Sequence, residues 1–134
     1  MTGRFPPETL SLLGRTGEVR ILTQPRSGPE RRTTIWVVVD GDEVFVRSVR
    51  GPRGRWYRDL EANPSGALLV AGYRIDFRAV ATPDPAAIAR ASEALERKYV
   101  GGPATRSMLQ PETLPTTLRL DPARPCGFAP TPRG

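Results

Sequence analysis

The chain contains no histidine. That absence removes the Ser-His-Asp and Cys-His nucleophile schemes and every site built on imidazole ligands. Cysteine is nearly absent too. The only one, Cys126, stands in a proline-rich stretch, so the sequence offers neither a disulfide framework nor a zinc site. Lysine occurs once, at Lys98, so nearly all the positive charge is arginine. No apolar run approaches membrane-spanning length, and Met1 to Leu13 lacks the apolar centre of a signal peptide. The expectation is a soluble cytoplasmic protein with no metal site.

What is present suits a β-rich domain. The 134 residues fit one domain, here residues 1–121, and 15 prolines with 13 glycines favour many turns over a helix bundle. The formal net charge is +6 and the sequence pI about 10.6. The planar fork of arginine matches phosphate and carboxylate groups. A skewed genomic base composition would raise the arginine count equally well, so the positions decide, not the total.

The positions concentrate between Arg31 and Leu60. Two β-rich runs, Thr33 to Asp40 and Glu43 to Val49, flank Asp40-Gly41, a pair that tolerates the positive φ of a tight hairpin. In the first run Ile35 to Val39 is apolar on both faces, which predicts a barrel interior on one side and a helix or second subunit on the other. The second run empties into Arg50-Gly51-Pro52-Arg53-Gly54-Arg55, a basic loop with a permissive backbone and a candidate anion cradle. Trp56 and Leu60 then fall one helical turn apart, and Asn63-Pro64 stops that helix.

Elsewhere the punctuation is clear. Pro6-Pro7-Glu8 opens a short helix that ends at Gly14, within an N-terminal arm of residues 1–17. Glu18 to Gln24 and Ala67 to Ala71 read as strands. Tyr73, Ile75, Phe77 and Ala79 alternate with Arg74, Asp76 and Arg78 as a half-buried strand. Asp84-Pro85 caps a helix whose apolar stripe is Ile88, Ala91, Leu95 and Tyr99, and Gly101-Gly102-Pro103 ends it. Thr113 to Asp121 is the last strand, with Pro115 at an edge or bulge, and residues 122–134 read as a disordered tail. About six antiparallel strands with a few helices predict a small β-barrel.

The order of these pieces resembles a known family. A glycine-bearing loop (Arg26-Ser27-Gly28) is followed by a basic strand opening (Arg31-Arg32-Thr33-Thr34), a DG hairpin, a basic Gly/Pro loop and Trp56-Tyr57-Arg58-Asp59-Leu60-Glu61-Ala62-Asn63-Pro64. From Glu18 to Asp121 the chain is similar to the FMN-binding split-barrel flavin/deazaflavin oxidoreductases, in particular the deazaflavin-dependent nitroreductases and a related uncharacterised family. The resemblance implies a homodimer and a cofactor, either deazaflavin coenzyme F-420 or flavin mononucleotide (FMN). The cofactor would lie against Arg26, Ser27, Arg32, Thr33 and Thr34, against Ser48, Val49, Arg50 and Gly51, and against Trp56, Tyr57 and Leu60. Arg50, Arg53 and Arg55 would pair with its phosphate, and the amides of Gly51 and Gly54 would approach it. The substrate implied is a small planar electrophile that accepts a hydride. Two departures stand out: the Pro25 to Glu30 loop is short for the family, and Asp59 replaces a common asparagine.

Each of these residues also has a plainer reading. Arg50, Arg53 and Arg55 are the composition of a solvated turn, Trp56 spaced from Leu60 is the pattern of a core residue, and Arg31-Arg32 suit an edge strand that resists aggregation. Tyr57 is within the repertoire of proton donors and equally that of barrel packing. No residue is singled out as catalytic. The alternatives to an oxidoreductase are a split barrel that binds a cofactor without catalysis and an arginine-rich barrel that binds single-stranded nucleic acid. Against the last, Trp36, Phe45, Tyr73 and Phe77 sit where strand patterning buries aromatics.

Overall fold

The residues from Arg31 to Asp40 supply both edges of one sheet. In the computed structural model, which describes residues 4–100 and 102–123, the strands are β1 (Glu18–Thr23), β2 (Arg31–Trp36), β3 (Val38–Asp40), β4 (Glu43–Val46), β5 (Ser65–Val70), β6 (Tyr73–Ala81) and β7 (Leu118–Pro122). They form a seven-stranded antiparallel sheet ordered β2-β1-β5-β6-β7-β4-β3. The run expected as one strand is therefore two. It leaves β1 after Trp36, passes through Val37, and joins β4 on the far edge. The curled sheet closes on itself through that single residue, and the fold is a mainly β split barrel.

Double apolarity now has its explanation. Ile35, Val37, Val44 and Val46 point into the barrel with Leu13, Ile21, Leu68, Phe77 and Leu120. Val38 and Phe45 point the other way, under Ala87, Ala91 and Leu95 of helix α3 (Pro85–Lys98). The cover outside the barrel is a helix of the same chain, so this run gives no reason for a second subunit. Asp84 caps α3 as expected, its Oδ1 accepting from the Ala86 amide at 3.1 Å. Arg90 fixes the helix over the hairpin by donating to Glu43 at 2.8 Å and Asp40 at 3.2 Å. No helix among the described residues is long and apolar enough to cross a membrane.

Several boundaries differ from the sequence reading. The hairpin turn is Gly41-Asp42, since Asp40 pairs with Glu43; positive φ falls on Gly41 at 64°, the arrangement of a type II′ turn. Tyr73 is 65% exposed, because it sits at the mouth of the β5–β6 hairpin, beyond the apolar face. Helix α4 (Pro103–Met108) follows α3, and a 3-10 turn (Pro111–Thr116) occupies the start of the expected last strand. Pro115 lies inside that turn. Strand pairing continues to Pro122, opposite Phe77. The Ala123 amide still donates to Asp76 O at 3.3 Å, and residues 124–134 of the expected tail lie outside the described residues. At the other end, helix α1 (Pro7–Arg15) runs one residue past the expected stop at Gly14 and buries Leu13.

Val37 lies between two ladders, so its peptide groups need other partners. The C-terminal turn of α3 supplies them. Lys98 Nζ donates to Val37 O at 2.6 Å and to Leu13 O at 2.8 Å, and the Tyr99 hydroxyl accepts from the Val37 amide at 3.4 Å while its own proton goes to Gly17 O at 2.5 Å. Burial pulls the Lys98 ammonium down to about 8. The unfolded chain keeps this proton until about pH 10.5, whereas the folded chain releases it near 8, so stability rises with pH between those values. The neighbouring Tyr99 phenol, pushed up by burial from 10.0 to about 12, acts in the opposite sense, but only from about pH 10 upward, where the unfolded chain loses that proton and the folded chain keeps it. The melting temperature should climb between pH 8 and 10, and Lys98→Met should flatten the climb. A level profile in the parent protein would contradict the assignment.

Candidate functional site

Where β2 departs from the barrel, a cavity of about 760 Å³ opens between it, the segment after β4, helix α2 (Arg55–Ala62) and α4. Strand β2 contributes Arg31, Arg32, Thr33, Thr34, Ile35 and Trp36. The segment after β4 contributes Arg47, Ser48, Val49 and Arg50. Gly54, Arg55 and Trp56 come from the start of α2, Ala104 and Met108 from α4, and Glu18 from β1. Both tryptophans of the chain are therefore in the lining. Trp36 is held in place by stacking on Tyr99, centroids 3.9 Å apart and planes within 3°.

The lining carries five arginines and one carboxylate residue, Glu18. Arg31 is neutralised elsewhere: its Nε donates to Asp59 Oδ2 at 2.8 Å, and the Thr23 hydroxyl donates to the same oxygen at 2.7 Å. Asp59 is buried, so the aspartate that replaces asparagine has a physical cause. It ties α2 to β1 and β2. Arg32, Arg47, Arg50 and Arg55 form no ion pair among the described residues. The cavity wall is thus a local excess of positive charge, exposed at Arg32, Arg50 and Arg55 and buried at Arg47. Asp59→Ala should cost about 2 kcal/mol of stability, because Arg31 is left beside a buried hydroxyl with no acceptor. Asp59→Asn, which keeps an acceptor oxygen, should cost less; urea melts showing the reverse order would refute the role given to the charge.

The loop from Ser48 to Gly54 is a closed structure, not an open cradle. The Gly51 amide donates to Ser48 O at 3.0 Å, the Gly54 amide to Gly51 O at 3.1 Å, and the Ser48 hydroxyl to Gly51 O at 2.8 Å. The amides expected to meet an anion are spent inside the loop. Gly51 has φ of 66° and its α-carbon faces the Glu112 carbonyl, and a Cβ on Gly54 would lie 2.2 Å from Ser48 Oγ. These glycines serve to fold the loop tightly, so that Arg50 and Arg55 project from a fixed base. The start of α2 has no side-chain cap, which leaves the positive end of its dipole in the same wall.

Of the residues expected from sequence, the structure gathers Arg32, Thr33, Thr34, Ser48, Val49, Arg50, Arg55 and Trp56 around the cavity. Arg26 and Ser27 lie in an exposed loop away from the lining, Arg53 points to solvent, and Gly51 and Leu60 are buried outside it. Tyr57 is also outside the lining. Burial, and secondarily Glu61, raises its phenol pKa, which disfavours the phenolate. Sequence reasoning missed Arg47 and Met108 and treated Arg31 only as an edge charge. For Arg47 a signal existed: a lone arginine continuing the apolar run Val44-Phe45-Val46.

Comparison with solved structures places this architecture among split barrels. A conserved hypothetical protein from Mycobacterium tuberculosis is similar with a TM-score of 0.67 at 12% identity, over 99% of this chain and 94% of that one. The haem storage protein HutZ from Vibrio cholerae is similar with a TM-score of 0.67 at 15% identity, over 92% and 93%. An F-420 reductase is similar with a TM-score of 0.58 at 18% identity, over 90% and 97%. No curated protein matches the chain significantly in sequence. Residues 9–120 match the family described as "uncharacterized protein conserved in bacteria" (DUF2255), and the chain belongs to that family.

Proposed function

We propose that the cavity binds a phosphate-bearing flavin-type cofactor, deazaflavin coenzyme F-420 ahead of FMN, and that the protein is an oxidoreductase acting on a small planar electrophile. The observation that carries this reading is the meeting, in one cavity, of both tryptophans and four arginines that have no ion-pair partner among the described residues. Its volume falls within the range of about 300–1,000 Å³ typical of small-molecule sites. Arg50 and Arg55, beside the uncapped start of α2, suit a phosphate. Trp36, Ile35, Trp56 and Met108 suit the apolar faces of a planar ring. When bound, such a cofactor supplies the hydride. The residues present bind, orient and exclude water, which fits a chain without a histidine base.

Neighbours in this fold include both an F-420 reductase and a haem storage protein. The haem reading gains nothing from this chain, which has no histidine to ligate iron. A split barrel that binds the cofactor without turning over differs from an enzyme only in transfer. Purified protein, mixed with reduced cofactor and a quinone or nitroaromatic, should oxidise the cofactor faster than the same mixture without protein. Saturable binding with no acceleration for any acceptor would favour the non-catalytic alternative.

A further inference from the structure

Arg47 is the one fully buried arginine in the lining of the cavity. Its side chain is 2% exposed. Nε donates to Thr117 Oγ1 at 2.9 Å; Nη1 donates to Ser92 Oγ at 2.9 Å and Met108 O at 3.1 Å; Nη2 donates to Ile88 O at 3.1 Å. Every acceptor is a neutral oxygen, and no carboxylate pairs with it among the described residues. A guanidinium has five N–H groups. These four bonds leave one N–H, on Nη2, without an acceptor among the described residues. Burial lowers the Arg47 pKa only to about 10, so the group is a cation at neutral pH.

A buried cation with only neutral partners is costly, and an anion that enters beside it offsets the cost. Arg47 also belongs to a different wall from the loop arginines. Its bonds run to α3, to the end of α4 and to the residue before β7, whereas Arg50 and Arg55 flank the start of α2. We propose that Arg47 forms a second anion subsite, on the wall where the segment after β4 meets Ala104 and Met108 of α4, that takes the carboxylate of the substrate. The electrophile is then an anion: a planar ring or enone that bears a carboxylate. The substrate assignment rests on the reductase reading; the anion subsite does not.

A plain staple, fixing α3 and α4 to the barrel, would use the same four bonds but would show no preference for a charged ligand. The two are separated by titrating the full chain with benzoate and with its neutral counterpart benzamide at constant ionic strength, read by the fluorescence of Trp36 and Trp56. Benzoate should bind at least ten-fold more tightly than benzamide. The preference should persist in the Arg50→Ala/Arg55→Ala variant and disappear in Arg47→Gln. Equal binding of the two probes overturns the subsite, as does a preference abolished by the loop variant. If Arg47→Gln does not fold, the comparison of probes in the parent and loop variant still decides. The measurement needs no cofactor. Benzoate preference without any flavin binding would sink the reductase reading and keep the subsite, and flavin binding without benzoate preference would do the reverse.

Discussion

Gly66→Ala should lower stability by about 3 kcal/mol and the melting temperature by about 10 °C. A Cβ at this position would lie 2.6 Å from the Leu22 carbonyl oxygen and 2.7 Å from Phe77 Cζ. Both approaches are closer than real side chains make. The phenyl ring can turn aside, but the carbonyl belongs to the β1–β5 ladder, where Thr23 stands opposite Gly66 and Leu22 opposite Ala67. Relief therefore requires opening the ladder that joins the β2 edge to the rest of the sheet. Phe77→Leu, introduced together with Gly66→Ala, should recover part of the loss by removing the ring. A Gly66→Ala protein that melts with the parent would mean that the β1–β5 approach is looser than described.

The second large effect concerns binding. Arg50→Ala and Arg55→Ala should each weaken a phosphate-bearing cofactor by about 1.5 kcal/mol, and together by about 3 kcal/mol, roughly 100-fold. The size is kept modest because both side chains are exposed and partly screened. For the same reason the parent protein should bind more weakly as salt is raised, and the double variant should lose most of that salt dependence. Fold stability should change little, since neither arginine forms an ion pair among the described residues. Loss of binding accompanied by loss of structure would assign these residues to the loop and not to a ligand.

Much of the barrel could be read from local chemistry. The β6 alternation, the Asp84-Pro85 helix start and the Asn63-Pro64 stop depend on residues close together in the chain, and the structure places them as their spacing predicts. The division at Val37 could not be read. A strand apolar on both faces and a strand that changes partners produce the same run of valines, and only the sheet order tells them apart. The loop glycines invited the opposite error. Glycine in a basic turn suggests open amides, yet here the amides close on Ser48 and Gly51. Arg47 illustrates the third case. Its partners are 41 to 70 residues away, so nothing near it in sequence reveals what holds it. Arg32 and the loop arginines Arg50 and Arg55 were legible because the resemblance orders them; the α4 side of the cavity was not.

The measurement closest to the central claim is a titration of the purified protein with coenzyme F-420, FMN and their dephosphorylated forms, followed by cofactor absorbance and by quenching of Trp36 and Trp56. The proposed reading predicts saturable binding of at least one phosphate-bearing form, weaker binding of its dephosphorylated counterpart, and a further drop in the Arg50→Ala/Arg55→Ala variant. Absence of binding by both cofactors, with single-stranded RNA or DNA bound instead and a steep salt dependence, would contradict it.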